Sequence, residues 1–87
     1  AYLFNRQPGV SKYYYAKEDA IIYFYYNMAC LESLDKKNKD ALENLELSLQ
    51  SGFKDYDHIQ QDTDLDNIRN MGEFKQLLKK YFPDKVK

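Results

Sequence analysis

Two stretches of this chain decide its fold, and both have the apolar pattern of a helix. They are Tyr25-Tyr26-Asn27-Met28-Ala29-Cys30-Leu31 and Ala41-Leu42-Glu43-Asn44-Leu45-Glu46-Leu47-Ser48-Leu49. In each stretch apolar side chains recur at steps of three and four residues, which is the period of one helix face. A short polar link around Asn38 separates the two stretches. We therefore predict two antiparallel helices that pack as a hairpin.

In the first helix the period of three and four residues is clear from Ala20 onward. Its positions are Ile21, Phe24 or Tyr25, Met28, and Leu31 or Glu32. We expect this stripe to pack inward, with the small Ala29 allowing the second helix to approach closely. The helix is expected to begin at Ser11 or, alternatively, at residues 17–19. It is expected to end at residues 34–36, where lysines complement its negative end.

The second helix is expected over residues 39–50. Its apolar stripe consists of Ala41, Leu42, Leu45, Ser48 and Leu49. Leu47 falls outside this stripe, so it is expected either to contact a further element or to stay exposed. Gly52 is expected to end the helix, because glycine takes positive φ without steric cost.

The remaining residues are expected to form short helices that cover the hairpin. Phe53 is expected to fold back onto it, and Asp55 or Asp57 to cap the first short helix. Leu65 and Ile68 are expected to point inward as anchors. A last helix is predicted over residues 72–81, and its apolar face consists of Phe74, Leu77, Leu78 and Tyr81. No segment alternates with period two for long, so we predict an all-α fold without a sheet.

Composition excludes several classes of function. The chain has 87 residues, 44% of them apolar, which is ordinary for one small folded domain. Its 13 basic and 14 acidic residues leave a net charge of −1, which lacks the basic excess of a nucleic-acid-binding protein. No apolar run approaches the roughly 20 residues of a membrane span, so we predict no membrane insertion. Cys30 is the only cysteine, which excludes an internal disulfide.

With this pattern, residues 21–81 resemble a tetratricopeptide repeat protein. Such repeats are about 34 residues long and consist of two antiparallel helices. The residues that carry the resemblance are Tyr25, Met28, Ala29, Ala41 and Leu45, together with the tail from Gly52 to Leu78, which is similar to the ending of many bacterial members. The chain departs from the family at Lys36, where the turn usually has glycine, and at Ser48, where alanine is usual.

The resemblance implies TPR-like antiparallel helix hairpins in a right-handed superhelical arrangement with a C-terminal capping helix. It divides the chain into residues 1–20, an N-terminal segment or the remnant of a preceding helix, and residues 21–82, the helical domain with its cap. One repeat is fewer than the three usually needed for a stable array. The terminal helix, the rest of a longer protein or a second copy in a homodimer is therefore expected to substitute for a neighbour.

The resemblance also implies a function, that of a non-enzymatic scaffold or adaptor that binds a peptide or a protein. Its binding surface is expected on the tyrosine-rich side of the first helix, at Tyr23, Tyr26, Asn27, Cys30 and Ser33. Tyrosines suit such a surface because each offers apolar area and a hydroxyl. Packing of these tyrosines against the N-terminal segment or a second copy is the structural alternative. A helical appendage of a larger enzyme is the alternative function, and cytoplasmic and periplasmic localisation both stay open.

Two further patterns suggest chemistry, and each also has a structural explanation. The carboxylates at the first, third, fifth and twelfth places of an EF-hand calcium loop are matched by Asp62, Asp64, Asp66 and Glu73. Capping of a short helix by Asp64 or Asp66 is the favoured explanation. His58 and Cys30 contain the atoms of a nucleophile pair, but a partly exposed helix histidine is favoured. We therefore predict no catalytic, cofactor-binding or metal-binding residue, with a small calcium-binding domain as a remaining alternative.

Overall fold

Five α-helices and one 3-10 turn make up residues 17–86, the part of the chain that the computed structural model describes. The elements are α1 (Lys17–Leu34), α2 (Asn38–Ser51), α3 (Tyr56–Gln61), the 3-10 turn (Thr63–Leu65), α4 (Asp66–Arg69) and α5 (Gly72–Tyr81). No strand occurs in this range, so the described part is all-α, as predicted. None of its helices is long and apolar enough to cross a membrane. The predicted helix start at Ser11 and most of the predicted segment 1–20 lie outside the described residues.

α1 and α2 pack side by side as the predicted hairpin. Ala29 and Ala41 are fully buried, and such small side chains allow two helices to approach closely. Ser48 adds a polar contact, since its hydroxyl donates a hydrogen bond to the carbonyl oxygen of Ile22 at 3.0 Å. Four of the five predicted stripe positions on α2 are buried, and the fifth, Leu42, is half-buried.

Both helices of the hairpin end in the same backbone motif. At the end of α2, Gly52 has a φ of 119°, and the N–H groups of Gly52 and Phe53 donate to the carbonyl oxygens of Leu49 and Ser48 at 3.2 and 3.0 Å. This is a Schellman motif, which satisfies carbonyls that the helix leaves unpaired. α1 ends in the same way, but there Lys36 occupies the left-handed position with a φ of 60°. The prediction that Gly52 ends α2 is thus confirmed.

The segment after α2 covers the hairpin. The 3-10 turn packs against α1, α4 packs against both long helices, and α5 packs against α2. Leu65 and Ile68 are completely buried, and Phe74 and Leu78 of α5 are almost so, which confirms these four anchors. The predicted cap of α3 is also confirmed, because the Asp55 side chain accepts a hydrogen bond from the backbone N–H of His58 at 3.0 Å.

The face of α1 that turns inward is the opposite of the expected one. Ile21, Phe24 and Leu31 were expected inside, but they are 54%, 58% and 57% exposed. The buried positions of α1 are Tyr26, Ala29, Cys30 and Ser33. Both sides of α1 carry apolar residues, so its period does not distinguish them. The choice depends on Phe53, which folds back as predicted and stacks on Tyr26 with ring centroids 4.3 Å apart and planes within 1°.

Candidate functional site

Tyr26 joins α1 to the covering segment. Its ring is completely buried and stacks on Phe53, and His58 lies tilted against it at 5.6 Å between centroids. Its hydroxyl donates a hydrogen bond to Oδ2 of Asp62 at 2.6 Å. A buried tyrosine needs such a partner, because an unpaired hydroxyl in the interior would cost about 1–3 kcal/mol.

Asp62 is the centre of a polar cluster between α1 and the segment that follows α3. Its Oδ1 accepts a hydrogen bond from the backbone N–H of Asp64 at 3.0 Å, which caps the 3-10 turn. Its Oδ2 accepts the Tyr26 bond and also lies 3.7 Å from Sγ of Cys30 and 3.2 Å from Nε2 of His58. One carboxylate therefore brings together a phenol, a thiol and an imidazole. We refer to Cys30, His58, Asp62 and Asp64 as the Asp62 cluster.

The cluster keeps Asp62 ionised and its neighbours protonated. Burial alone would raise the pKa of the Asp62 carboxyl, but hydrogen bonds from Tyr26 and the Asp64 backbone, together with nearby His58, outweigh burial and lower it. Burial raises the pKa of the Tyr26 hydroxyl, and burial followed by the charge of Asp62 raises the pKa of the Cys30 thiol. Both groups are therefore hydrogen-bond donors to a carboxylate at neutral pH, rather than nucleophiles.

Backbone contacts hold the covering segment in the same place. The Arg69 guanidinium donates from Nη1 to the carbonyl oxygen of Ile59 at 2.8 Å and from Nη2 to the carbonyl oxygen of Asp62. The side-chain amide of Asn67 donates to the carbonyl oxygen of Ser33 at 2.7 Å. Neither contact was predicted, since each joins residues whose proximity depends on the tertiary fold.

The five residues predicted to bind a partner do lie on one side of α1, but most of that side is covered. Tyr26, Cys30 and Ser33 are buried. Tyr23 and Asn27 are half-buried, and the Tyr23 ring meets Phe53 edge-on at 6.0 Å. The covering element is the protein's own C-terminal segment, which the two earlier explanations did not include. A binding role for Tyr23 and Asn27 stays a prediction.

The four carboxylates of the predicted calcium loop do not act alike. Asp62 and Asp64 join the cluster, whereas Asp66 and Glu73 are exposed and Asp66 pairs with Arg69 at 3.3 Å. Capping was predicted here, and it does occur, but the cap is Asp62 rather than Asp64 or Asp66. His58 also differs from its prediction as a partly exposed residue, since its side chain is only 9% exposed.

A second feature lies on the opposite side of α1, where large apolar side chains are exposed together. These are Ile21, Phe24, Leu31 and Leu34, each more than half exposed. Their spacing of three, seven and three residues places them on one helix face, and Met28 lies half-buried between them. We call these four residues the outer face of α1. Isolated exposed apolar residues are ordinary, but a contiguous group on one face is typical of an interaction surface.

A groove of about 600 Å³ runs between α2 and α5. Its apolar lining comes from Leu42, Met71 and Leu77, and charges of both signs form its rim. On that rim Glu46 accepts hydrogen bonds from Lys80 and from the Tyr81 hydroxyl, both at 3.0 Å. The bond from Lys80 followed by that from Tyr81 lowers the pKa of the Glu46 carboxyl. These contacts tie α5 to α2 across the groove.

Comparison with known proteins gives a match over part of the chain. No family model matches it, and no solved structure gives a significant match. The chain is similar to a chloroplastic protein from Arabidopsis thaliana, with 38% identity over 56 residues. Those residues are 64% of this chain and span 17% of the length of the plant protein. Because this relative is from a plant, the bacterial type expected for the tail stays a prediction.

Proposed function

We propose that this chain is a non-enzymatic protein–protein interaction module of the tetratricopeptide type, and that its partner docks on the outer face of α1. The observation that carries the proposal is the exposure of Ile21, Phe24, Leu31 and Leu34 on one side of a single helix. Burying four such side chains would supply much of the free energy of a specific interface, since each contributes about 1.5–3 kcal/mol when fully buried.

The shape of this face fits an amphipathic helix. Leu34 lies thirteen residues after Ile21, which corresponds to about 20 Å along the axis. A partner helix with its own aliphatic stripe would pack its ridges into the grooves of α1 over that length. In a right-handed superhelix of TPR-like hairpins, a neighbouring hairpin would supply such a helix, so the partner is either another segment of a longer protein or a separate helical protein.

Several local features support the tetratricopeptide assignment. The small residues Ala29, Ala41 and Ser48 lie buried where the family has small residues. Lys36 takes a left-handed φ at the turn position where the family usually has glycine, which explains that preference physically. The covering segment and α5 then take the role of the capping helix. The tyrosine side of α1 is occupied by this cap, so the proposed binding surface moves to the opposite side.

An affinity measurement with matched variants tests the proposal. A stoichiometric partner is first isolated from native lysate with the whole chain and then purified. We expect Phe24→Asp combined with Leu31→Asp to weaken its binding, measured by calorimetry, at least about tenfold, because two charges would then face an apolar partner. Leu47→Asp is the control, since Leu47 is exposed on α2, away from the outer face.

The outcomes separate the two sides of α1. Unchanged affinity in the Phe24/Leu31 variant would show that the outer face is not the docking surface. If Tyr23→Ala weakened binding instead, the tyrosine side originally predicted would be the correct one. Circular dichroism of each variant confirms that α1 is folded.

A further inference from the structure

The Asp62 cluster has the composition of a metal site. One ligand atom each from Cys30, Asp62 and Asp64 lies within 4.8 Å of the other two. Nε2 of His58 lies 3.2 Å from Oδ2 of Asp62, and the His58 side chain is more than nine-tenths buried. A thiol, an imidazole and two carboxylates thus converge from α1, from α3 and from the 3-10 turn. These are the side chains that bind zinc in proteins.

We propose that one divalent transition-metal ion, with zinc preferred, binds between the four side chains of Cys30, His58, Asp62 and Asp64. The site is independent of the outer face of α1 and of the partner proposed for it. Its role is structural, because the ion would tie α1 to the covering segment across the 32 residues of chain that lie between Cys30 and Asp62.

The distances within the cluster fit a tetrahedral ion. With zinc–sulfur bonds of about 2.3 Å and zinc–nitrogen or zinc–oxygen bonds of about 2.0–2.1 Å, two ligands of one ion lie about 3.5 Å apart if one is sulfur and about 3.3 Å apart otherwise. The distance from Sγ of Cys30 to Oδ2 of Asp62 is 3.7 Å. The distance from Nε2 of His58 to the same oxygen is 3.2 Å. Both pairs therefore need only small side-chain shifts.

The surroundings hold the central ligand in position. The Tyr26 hydroxyl and the Asp64 backbone N–H each donate a hydrogen bond to the Asp62 carboxylate, at 2.6 and 3.0 Å. Carboxylates that bind metals are usually oriented by such outer contacts. A carboxylate oxygen has two lone pairs, so Oδ2 can accept the Tyr26 bond and bind an ion together.

The charge and softness of the cluster select the ion. Asp62 and Asp64 provide two negative charges beside a buried thiol, which favours a divalent cation. Binding converts the Cys30 thiol to a thiolate, and its proton leaves to solvent. A thiolate and an imidazole favour zinc over calcium or magnesium, which prefer oxygen ligands alone. The site therefore differs from the calcium loop considered from sequence, which required Asp66 and Glu73.

Metal titration of the whole chain without an affinity tag tests the proposal. We expect zinc chloride to bind with one ion per chain in calorimetry and to raise the melting temperature. Cobalt chloride, as a spectroscopic probe, is expected to give the absorption of a thiolate–cobalt bond. Cys30→Ser is expected to remove that absorption and to weaken zinc binding at least about tenfold, and Asp64→Asn to weaken zinc binding.

Asp66→Asn is the matched control, because Asp66 is exposed and lies outside the group of ligand atoms. It should bind zinc as the unaltered chain does. Absence of zinc binding by the folded, reduced chain would overturn the proposal, and so would equal affinity in Cys30→Ser. Equal losses in Asp66→Asn and Asp64→Asn would also overturn it, since they would indicate general attraction to an acidic surface.

Discussion

The hydroxyl of Tyr26 lies 2.6 Å from Oδ2 of Asp62, although 36 residues separate them in the chain. This contact joins the middle of α1 to the turn that begins the C-terminal cap. Because Asp62 also caps the 3-10 turn through Oδ1, one carboxylate serves both the local structure and the tertiary contact. The contact explains why the tyrosine side of α1 is inside and its aliphatic side is outside.

Removing this hydroxyl should destabilise the protein without altering its shape. We expect Tyr26→Phe to lower the free energy of unfolding by about 1.5–3 kcal/mol, because the lost hydrogen bond was made to a charged acceptor in a buried place. Urea unfolding followed by circular dichroism measures the change. Tyr25→Phe, on the half-buried neighbouring position, is the control and should change stability little. Equal stability of the two variants would show that the bond contributes nothing.

Acid should weaken the cap through Asp62. The pKa of its carboxyl is lowered in the folded state, so its contribution is complete above the unfolded value of about 3.9 and is lost as the pH falls through the folded value. We expect the free energy of unfolding to decline below about pH 5, and Asp62→Asn to flatten that decline. Measurements in the presence of a metal chelator isolate the proton effect. An unchanged slope in Asp62→Asn, matching that of Asp66→Asn, would contradict this.

The hairpin itself depends on Leu45. This side chain is completely buried, so Leu45→Ala is expected to cost roughly 2–5 kcal/mol, which is enough to unfold a marginal domain. Leu47→Ala, two residues away and exposed, should change stability by less than about 0.5 kcal/mol. Thermal melts of both variants make the comparison. Similar melting temperatures would be incompatible with the packing of α2 on α1.

The turn between α1 and α2 contains a strained residue. Lys36 has a φ of 60°, a left-handed conformation that costs a residue with a side chain about 1–2 kcal/mol. Lys36→Gly is expected to stabilise the protein by up to about 1 kcal/mol, the gain being reduced by the greater freedom of glycine in the unfolded chain. Lys39→Gly, within α2, should instead destabilise by about 0.5–1 kcal/mol. If both variants lost stability equally, the left-handed turn would be incorrect.

Local features of the fold were predictable from sequence, because their causes lie within a few residues. Gly52 ends α2, Asp55 caps α3, and Leu65 and Ile68 form inward anchors, all as predicted. Asp62, rather than Asp64 or Asp66, caps the next turn. Among three aspartates at alternating positions, the sequence contains no signal that selects the one whose carboxylate also reaches Tyr26.

The orientation of α1 could not be predicted, for a physical reason. Its sequence carries apolar residues on both sides, so helical period alone supports two opposite inner faces. The side that is buried is the one whose residues find partners elsewhere, as Tyr26 does with Phe53 and Asp62. The approach of Cys30 to Asp62 is equally hidden, since 32 residues separate them. Small residues at Ala29, Cys30 and Ser33 were the available signal for close packing on that side.

The orientation of α1 is tested most directly by thiol labelling of two single-cysteine proteins in the presence of a metal chelator. Cys30 is 1% exposed, and burial raises the pKa of its thiol. We expect it to react with an aromatic disulfide reagent only as fast as the protein opens. Phe24→Cys combined with Cys30→Ala places the thiol on the outer face, where it should react orders of magnitude faster. Equal, rapid labelling of both proteins under native conditions would contradict the burial of the tyrosine side and the exposure of the outer face.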